Sequence, residues 1–443
     1  MSATATEPQQ PTPEAIRTPE QEQAEKGLGV APASELALED INPLNAHLFR
    51  ENRWQDYFRR LRNEDPVHFN ELETAGRYWS VTKYEDIKAV SAEPQTFSSA
   101  QGITLGFRPD RDAPTLFPPS SPSFIMQDGM GHDDQRKTVQ PSVAPRNLAK
   151  LEPIIRDRTI RVLDSLPEGE TFDWVDTVSI ELTTMMLATL FDFPMEDRRK
   201  LTRWSDIVFA IPQPGGVVET GEQKREEMLE CVEYFAKLWE LRRENPGNDL
   251  VSMLAHGEAT KHLSAANHLG NLLLLIVGGN DTTRNSMSGG VLALNQFPDQ
   301  FEKLKANPDL IPNMNSEIIR WQTPLAYMRR IAKADTVLNG QFIRKGDKLV
   351  MWYASGNRDE RVFENPDDFI IDRANARNHI AFGFGVHRCM GNRLAEMQLR
   401  ILWEELLPRF ENIEVVGDPE YVQSNFVRGI SKMMVRLTPT SSA

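Results

Sequence analysis

Apolar residues recur at helical spacing through most of this chain and at strand spacing in only a few short stretches. Helical patterning begins near Ala46 and continues through 54–61. It returns from about 147 to 255, runs from Ser264 to about Gln296, and reappears at 392–400. Between these lie two strand-like segments around a polar turn, 67–69 and 78–81. A later one, 337–343, has Asn339-Gly340 at its centre, the pattern of a tight hairpin. Thr82-Lys83-Tyr84-Glu85 reads as a capping box that opens a helix.

The places where the pattern breaks are as informative. Residues 1–40 are rich in Pro, Gln, Glu, Ala and Thr, which predicts a disordered or loosely attached leader before a domain at 41–443. Residues 97–125 form a long loop that interleaves Gly, Pro and Ser with Ile103, Leu105, Phe107, Leu116, Phe117 and Phe124. A loop of that length and apolar content favours a substrate-facing role. The stretch 209–216 interrupts the helices as a mobile connection, a candidate lid. Inside the long 264–296 helix, Gly278-Gly279-Asn280-Asp281-Thr282-Thr283 puts poor helix formers mid-helix. Such a segment marks either a bent or opened helix, with hydroxyls competing for backbone carbonyls, or a tight helix crossing.

Composition narrows the class without choosing the function. The 443 residues fit two or three domains, or one large helical one. The longest apolar run, 272–277, is far too short to span a bilayer, and no signal-peptide layout opens the chain. A net charge of −14 argues against nucleic acid as a general partner. Two cysteines leave no disulfide framework, which predicts a reducing, cytoplasmic setting.

One of those cysteines, Cys389, lies in the Gly-rich loop 381–391 directly before the helical pattern at 392. A sulfur there meets backbone N–H groups without intrahelical partners, which favour thiolate over thiol. The bland alternative is a free cysteine on a surface loop. The full pattern Phe-x-x-Gly-x-x-x-Cys-x-Gly (382–391) weighs against that, since it arises by chance in roughly one chain in a thousand. Other spacings accompany it. His132 and Arg136 share a helix face, as do Glu317 and Arg320.

Taken together, these motifs resemble the haem-thiolate signature of the cytochromes P450, over a span from about residue 45 to the end. The resemblance implies a mostly α fold with small β-sheets, one large triangular domain holding haem b between the long distal helix and the cysteine loop. It implies Cys389 as the iron ligand, with Phe382 and Gly391 beside the sulfur. His132, Arg136, Arg330 and His387 would hold the propionates, with Arg329 competing for the place of Arg330. It makes Asp281 and Thr282 the pair that delivers protons to bound dioxygen. Glu317, Arg320 and Arg373 become a buried trio holding the cysteine loop.

The implied activity is monooxygenation of an unactivated C–H bond, with electrons from a separate 2Fe–2S ferredoxin and its NAD(P)H-dependent reductase. Arg136, Lys137, Arg146, Lys150 and Arg393 are candidates for a docking face. The stretches 101–106, 124–128 and 321–328 look most like the bacterial alkane and fatty-acid terminal hydroxylases. Ile103, Leu105, Ile276, Val277 and Gly278 would line the pocket, with Leu325, Met328, Phe426 and Val427. A branch acting on sterol side chains and methyl-branched lipids is the runner-up. A peroxygenase would replace the acid–Thr pair, and a non-catalytic haem sensor would need none.

Overall fold

In a computed structural model, the described residues are 30–72, 75–105, 123–210, 212 and 216–440. Residues 1–29 of the expected leader, Phe107, Leu116 and Phe117 of the long loop, and Ile211, Gln213, Pro214 and Gly215 of the expected lid lie outside them. The last part of that leader belongs to the domain. Ala33 is buried among Leu48, Phe58 and Trp352, while Tyr57 and Arg60 donate to the carbonyls of Ala31 and Ala33 at 2.5 Å.

Helices α1 (Ala46–Arg50) and α2 (Trp54–Glu64) precede an antiparallel pair, β1 (Val67–Leu72) and β2 (Gly76–Val81), and then α3 (Tyr84–Ala92). The capping-box expectation fails at α3. Lys83 is the N-cap with no side-chain bond, Thr82 turns its hydroxyl to the Pro66 carbonyl, and distant Asp359 accepts from Tyr84 N–H at 3.0 Å. Tertiary structure supplies the cap that local sequence appeared to offer.

After β3 (Phe97–Ser98) come α4 (Gly129–Val139) and α5 (Pro145–Asp164). The short β4 (Thr171–Asp173), unseen in the helical pattern, leads through a π-helical turn, Val175–Ile180, into α6 (Glu181–Phe191). Then follow α7 (Arg198–Phe209), α8 (Gly221–Glu244), α9 (Leu250–His256) and the 32-residue α10 (Ala265–Gln296). Ser264 caps α10 by accepting from Asn267 N–H. Helices α11 (Pro298–Ala306) and α12 (Ile311–Gln322) lead into the strands β5 (Tyr327–Ala332), β6 (Thr336–Leu338), β7 (Gln341–Ile343) and β8 (Lys348–Trp352). As expected, β6 and β7 pair through Asn339 and Gly340, both with positive φ (48° and 80°), as the tightest hairpins require. The chain ends with α13 (Tyr353–Gly356), α14 (Asn392–Leu406), β9 (Phe410–Val415), β10 (Glu420–Tyr421), β11 (Ile430–Lys432) and β12 (Met434–Pro439).

The architecture is mostly helical. One five-stranded sheet has the order β1-β2-β8-β5-β3, and the other sheets have two or three strands. The core wraps α10 on every side but one. Gly290 packs so closely that an added Cβ would lie 2.8 Å from Ile318 of α12 and 3.2 Å from Trp403 of α14. Ser179 of the π-helical turn bonds to Ser288 of α10 at 2.9 Å.

Candidate active site

Helix α10 stays helical throughout the glycine-rich interruption, which holds a tight crossing. Gly279 is a crossing point, since a Cβ there would lie 2.7 Å from Leu187 of α6. At Gly278 nothing lies within 4 Å of where a Cβ would be, and the residue is exposed. The hydroxyls do compete for carbonyls, Thr282 for that of Gly278 at 3.0 Å and Ser286 for that of Thr282 at 2.8 Å. Exposed Gly278, with half-buried Leu274 and Thr282 four residues to either side, forms the most open stripe of the helix. Val277 borders it, partly buried. Ile276 does not line it. Two residues from Gly278 it points about 200° away, and it is fully buried among Leu187, Trp204 and Ile207.

Asp281 lies at the edge of this stripe and is almost wholly buried. Its carboxylate takes Arg284 at 2.9 Å and the Ser205 hydroxyl at 3.1 Å, and Arg284 also reaches Asp206 at 2.6 Å. Burial pushes the Asp281 carboxyl up, to about 6, against the opposing pull of Arg284. A buried acid poised there can hold or release a proton near neutral pH. Arg284 was missed in the sequence, although its i, i+3 spacing from Asp281 could have marked it as a partner. Ser205 and Asp206 come from α7, and only the fold brings them in.

The cysteine loop is built from a second set of constraints. Gly385 has φ of 69°, and a Cβ there would lie 2.5 Å from the Ser91 carbonyl oxygen, so the loop can turn under α3 only with glycine. Cys389 N–H donates to the Phe382 carbonyl at 2.7 Å. The cysteine precedes α14, whose N-cap is Gly391, and the N–H groups of Gly391 and Asn392 bond to the sulfur. Cys389 is exposed, yet the protein crowded around its sulfur raises the thiol, while those N–H groups and Arg136 and Arg388 favour thiolate.

Helix α4 joins this loop to α10. Its Gln135 accepts from Asn271 Nδ2 at 3.0 Å, Arg136 donates to the Arg388 carbonyl at 2.6 Å, and the His132 and His387 rings lie 4.2 Å apart. His132 Nε2 and His387 Nδ1 are both buried without a hydrogen-bond partner. Arg330, also buried, donates to the Arg329 carbonyl and forms no ion pair among the described residues. Arg329 is occupied instead by the carbonyls of Gln101 and Gly102. Burial, and then the neighbouring Arg330, His132 and Arg136, hold the His387 imidazole down to about 3. Ser99, which sequence reasoning missed, fixes the other His387 nitrogen at 3.1 Å and is itself set by Asp128.

Behind the loop, Glu317, Arg320 and Arg373 meet. Arg320 grips Glu317 with two bonds at 2.7 and 2.8 Å, and Arg373 Nε adds contacts at 3.0 and 3.1 Å. A chain of bonds leads from there into the cysteine loop. Arg320 donates to the Asn357 carbonyl, Asn357 Oδ1 accepts from Ile380, and the Ile380 carbonyl accepts from Gly383.

The family model described as Cytochrome P450 matches residues 119–436. This chain belongs to the cytochrome P450 family. A solved structure, Cytochrome P450-153 from Novosphingobium aromaticivorans, is 46% identical and superposes with a TM-score of 0.82, covering 90% of this chain and 99% of that one. Linalool 8-monooxygenase from Pseudomonas putida is 35% identical over 89% of this chain and 98% of its own length. A methyl-branched lipid omega-hydroxylase from Mycobacterium tuberculosis is 31% identical over 85% and 90%. The fold is therefore the P450 fold and the activity that of a P450 monooxygenase, which carries a haem. No helix among the described residues is long and apolar enough to cross a membrane.

The remaining pocket candidates also converge. Arg329 N–H donates to the Ile103 carbonyl, Leu105 N–H to the Tyr327 hydroxyl, and Ala326 N–H to the Phe426 carbonyl. Leu325 bridges to Val427, and Leu325 and Met328 are partly buried beside Leu105 and Phe426. Phe124 is instead a core residue beside Val139 and Ile276.

Proposed function

We propose that this P450 binds haem b on Cys389 and hydroxylates the terminal methyl of a medium-chain alkane, fatty acid or similar aliphatic chain. The residues suit the cofactor: a sulfur facing paired N–H groups, two buried imidazole nitrogens lacking partners, and a buried guanidinium lacking an anion. His132, Arg136, Arg330 and His387 hold the propionates, with Phe382 and Gly391 at the sulfur. Cations opposite the carboxylates of an apolar macrocycle satisfy both sides. Haem bound there supplies dioxygen activation and the oxidation of the C–H bond.

Each chain residue then has a limited task. Cys389 donates its thiolate, stabilised by the start of α14. Thr282 places a hydroxyl on the open stripe of α10, and Asp281 holds the proton it receives next. The Glu317–Arg320–Arg373 trio keeps the loop in place and does no chemistry.

The observation that carries the substrate reading is the wall. Leu105, Leu325, Met328, Phe426 and Val427 come from three separate segments, are tied together by backbone bonds and the Tyr327 hydroxyl, and carry no charge. A chain end bound by such a surface gains about 0.8 kcal/mol per buried methylene and no polar contact to place it elsewhere. The omega-hydroxylase name of one relative supports the same regiochemistry. It also keeps sterol side chains and methyl-branched lipids as the second reading.

Electrons arrive from a 2Fe–2S ferredoxin and its NAD(P)H-dependent reductase, in the cytoplasm. Lys137, Arg146, Lys150 and Arg393 are exposed around α4, α5 and the first turn of α14, with Arg136 between them and the sulfur. Exposed Met130, Phe384 and Val386 add apolar surface there. The deciding experiment titrates the haem-loaded protein with n-alkanes, fatty acids and sterols, and identifies products. A low-to-high spin shift and a terminal alcohol from straight chains are expected. A shift with sterols alone transfers the assignment to the second reading.

A further inference from the structure

The open stripe of α10 ends at Asn285, seven residues and about two turns beyond Gly278. There the segment 424–430 closes it. A Cβ on Gly429 would lie 2.2 Å from Asn285 Oδ1, and Ile430 N–H donates to that oxygen at 3.1 Å. Only glycine lets the backbone come so near. This segment carries Phe426 and Val427, and Arg428 N–H joins it to the Pro324 carbonyl at 2.8 Å.

Two features of the join exceed what packing needs. Arg428 is buried, yet forms no ion pair among the described residues. Its guanidinium lies 4.4 Å over the Trp54 ring and donates to the carbonyls of Trp321 and Gln322, the last residues of α12. Those carbonyls form the negative end of the helix, where a cation is favoured. Directly after them, Thr323 has φ of 40°, a left-handed conformation that non-glycine residues rarely adopt. Its hydroxyl donates to the Arg320 carbonyl at 2.6 Å and accepts from Asn357 Nδ2 at 2.8 Å. Strain of this kind persists where surroundings over-determine it, often at functional sites.

We propose that Arg428 and Thr323 form a clamp on the end of α12 that positions the Leu325–Phe426–Val427 wall against the open stripe of α10. The clamp thereby sets which carbon of a bound chain reaches the oxidising centre. Both are positioning residues, and the proposal rests on reading that wall as the substrate pocket. A lysine at 428 would keep the charge but lose the planar guanidinium, which stacks on Trp54 while its Nη1 reaches both carbonyls. A glycine at 323 would accept the φ without strain and remove the hydroxyl that fixes it.

The test uses the haem-loaded full chain with imidazole and 1-alkylimidazoles of increasing chain length, followed through the Soret shift on binding. The variants are Arg428→Lys and Thr323→Gly, each first checked for the carbon monoxide band of thiolate ligation. Either variant should leave imidazole affinity unchanged and weaken the longest alkyl chains by about tenfold. The clamp is overturned if long chains bind as tightly as in wild type, or if imidazole weakens in equal measure, which reports general loosening. Where Arg428→Lys does not fold, Thr323→Gly carries the test alone. A wild type whose affinity ignores chain length overturns the aliphatic-pocket reading itself, and the clamp with it.

Discussion

Replacing Glu317 by Gln keeps the shape of the side chain and removes one negative charge from a dry site. Glu317 and Arg320 are fully buried, and Arg373 nearly so. The carboxylate accepts from both guanidiniums and from Ile370 N–H at 3.0 Å. Burial alone would raise its carboxyl, but the Arg320 bonds and both cations outweigh that and hold it below the ordinary carboxylate value. Gln leaves two buried cations without their counter-ion, and breaking a buried pair in this way costs about 3–5 kcal/mol. That is a large share of the roughly 5–15 kcal/mol that keeps a typical protein folded. The assay is denaturant unfolding of the haem-loaded protein, with Glu414→Gln as control. Glu414 meets Arg436 at 3.5 Å with both side chains about half exposed, so its loss should cost under about 1 kcal/mol. Because the folded pKa of Glu317 is lowered, its contribution is full above the unfolded carboxyl value. It is lost as the pH falls through the folded one, so the deficit should shrink in acid. A cost for Glu317→Gln no larger than the control would refute the reasoning.

Two neighbouring glycines should respond with opposite sign. Gly278→Ala meets open space and should gain up to about 1 kcal/mol of helix propensity, whereas Gly279→Ala strikes Leu187 and should lose about 1–3 kcal/mol in thermal unfolding. Asp281→Asn should lower turnover by about 100-fold while the substrate-induced spin shift persists; normal turnover would remove Asp281 from proton delivery. Since the folded pKa of Asp281 lies above its unfolded value, its ionisation is a cost fully present above about pH 6. Wild-type stability relative to Asp281→Asn should therefore rise as the pH falls from about 6 toward 3.8. Thr282→Ala should raise NADH consumption per product while leaving the carbon monoxide spectrum intact, and unchanged coupling would sink the role given to its hydroxyl.

Local chemistry was legible in the sequence wherever spacing alone sets a geometry. Glu317 and Arg320 at i, i+3, the Asn339-Gly340 hairpin and the cysteine before α14 needed no tertiary information. Thr82 shows the limit, for its capping pattern yielded to Asp359, 275 positions beyond Tyr84. Ile276 was misplaced because the apolar run 272–277 has no polar residue to mark which side of the helix faces outward. Only Leu187 against Gly279 and open space at Gly278 settle that. Ser99, Asp206 and Arg428 act through long-range contacts and carry no local signal.

The central claim is that Cys389 holds a haem through its thiolate, and one spectrum tests it most directly. The purified protein is reduced and exposed to carbon monoxide, beside Cys389→Ser. Wild type should give the strongly red-shifted Soret band of thiolate ligation, and Cys389→Ser should not. A haem-loaded wild type without that band, or a Cys389→Ser protein that keeps it, would contradict the account.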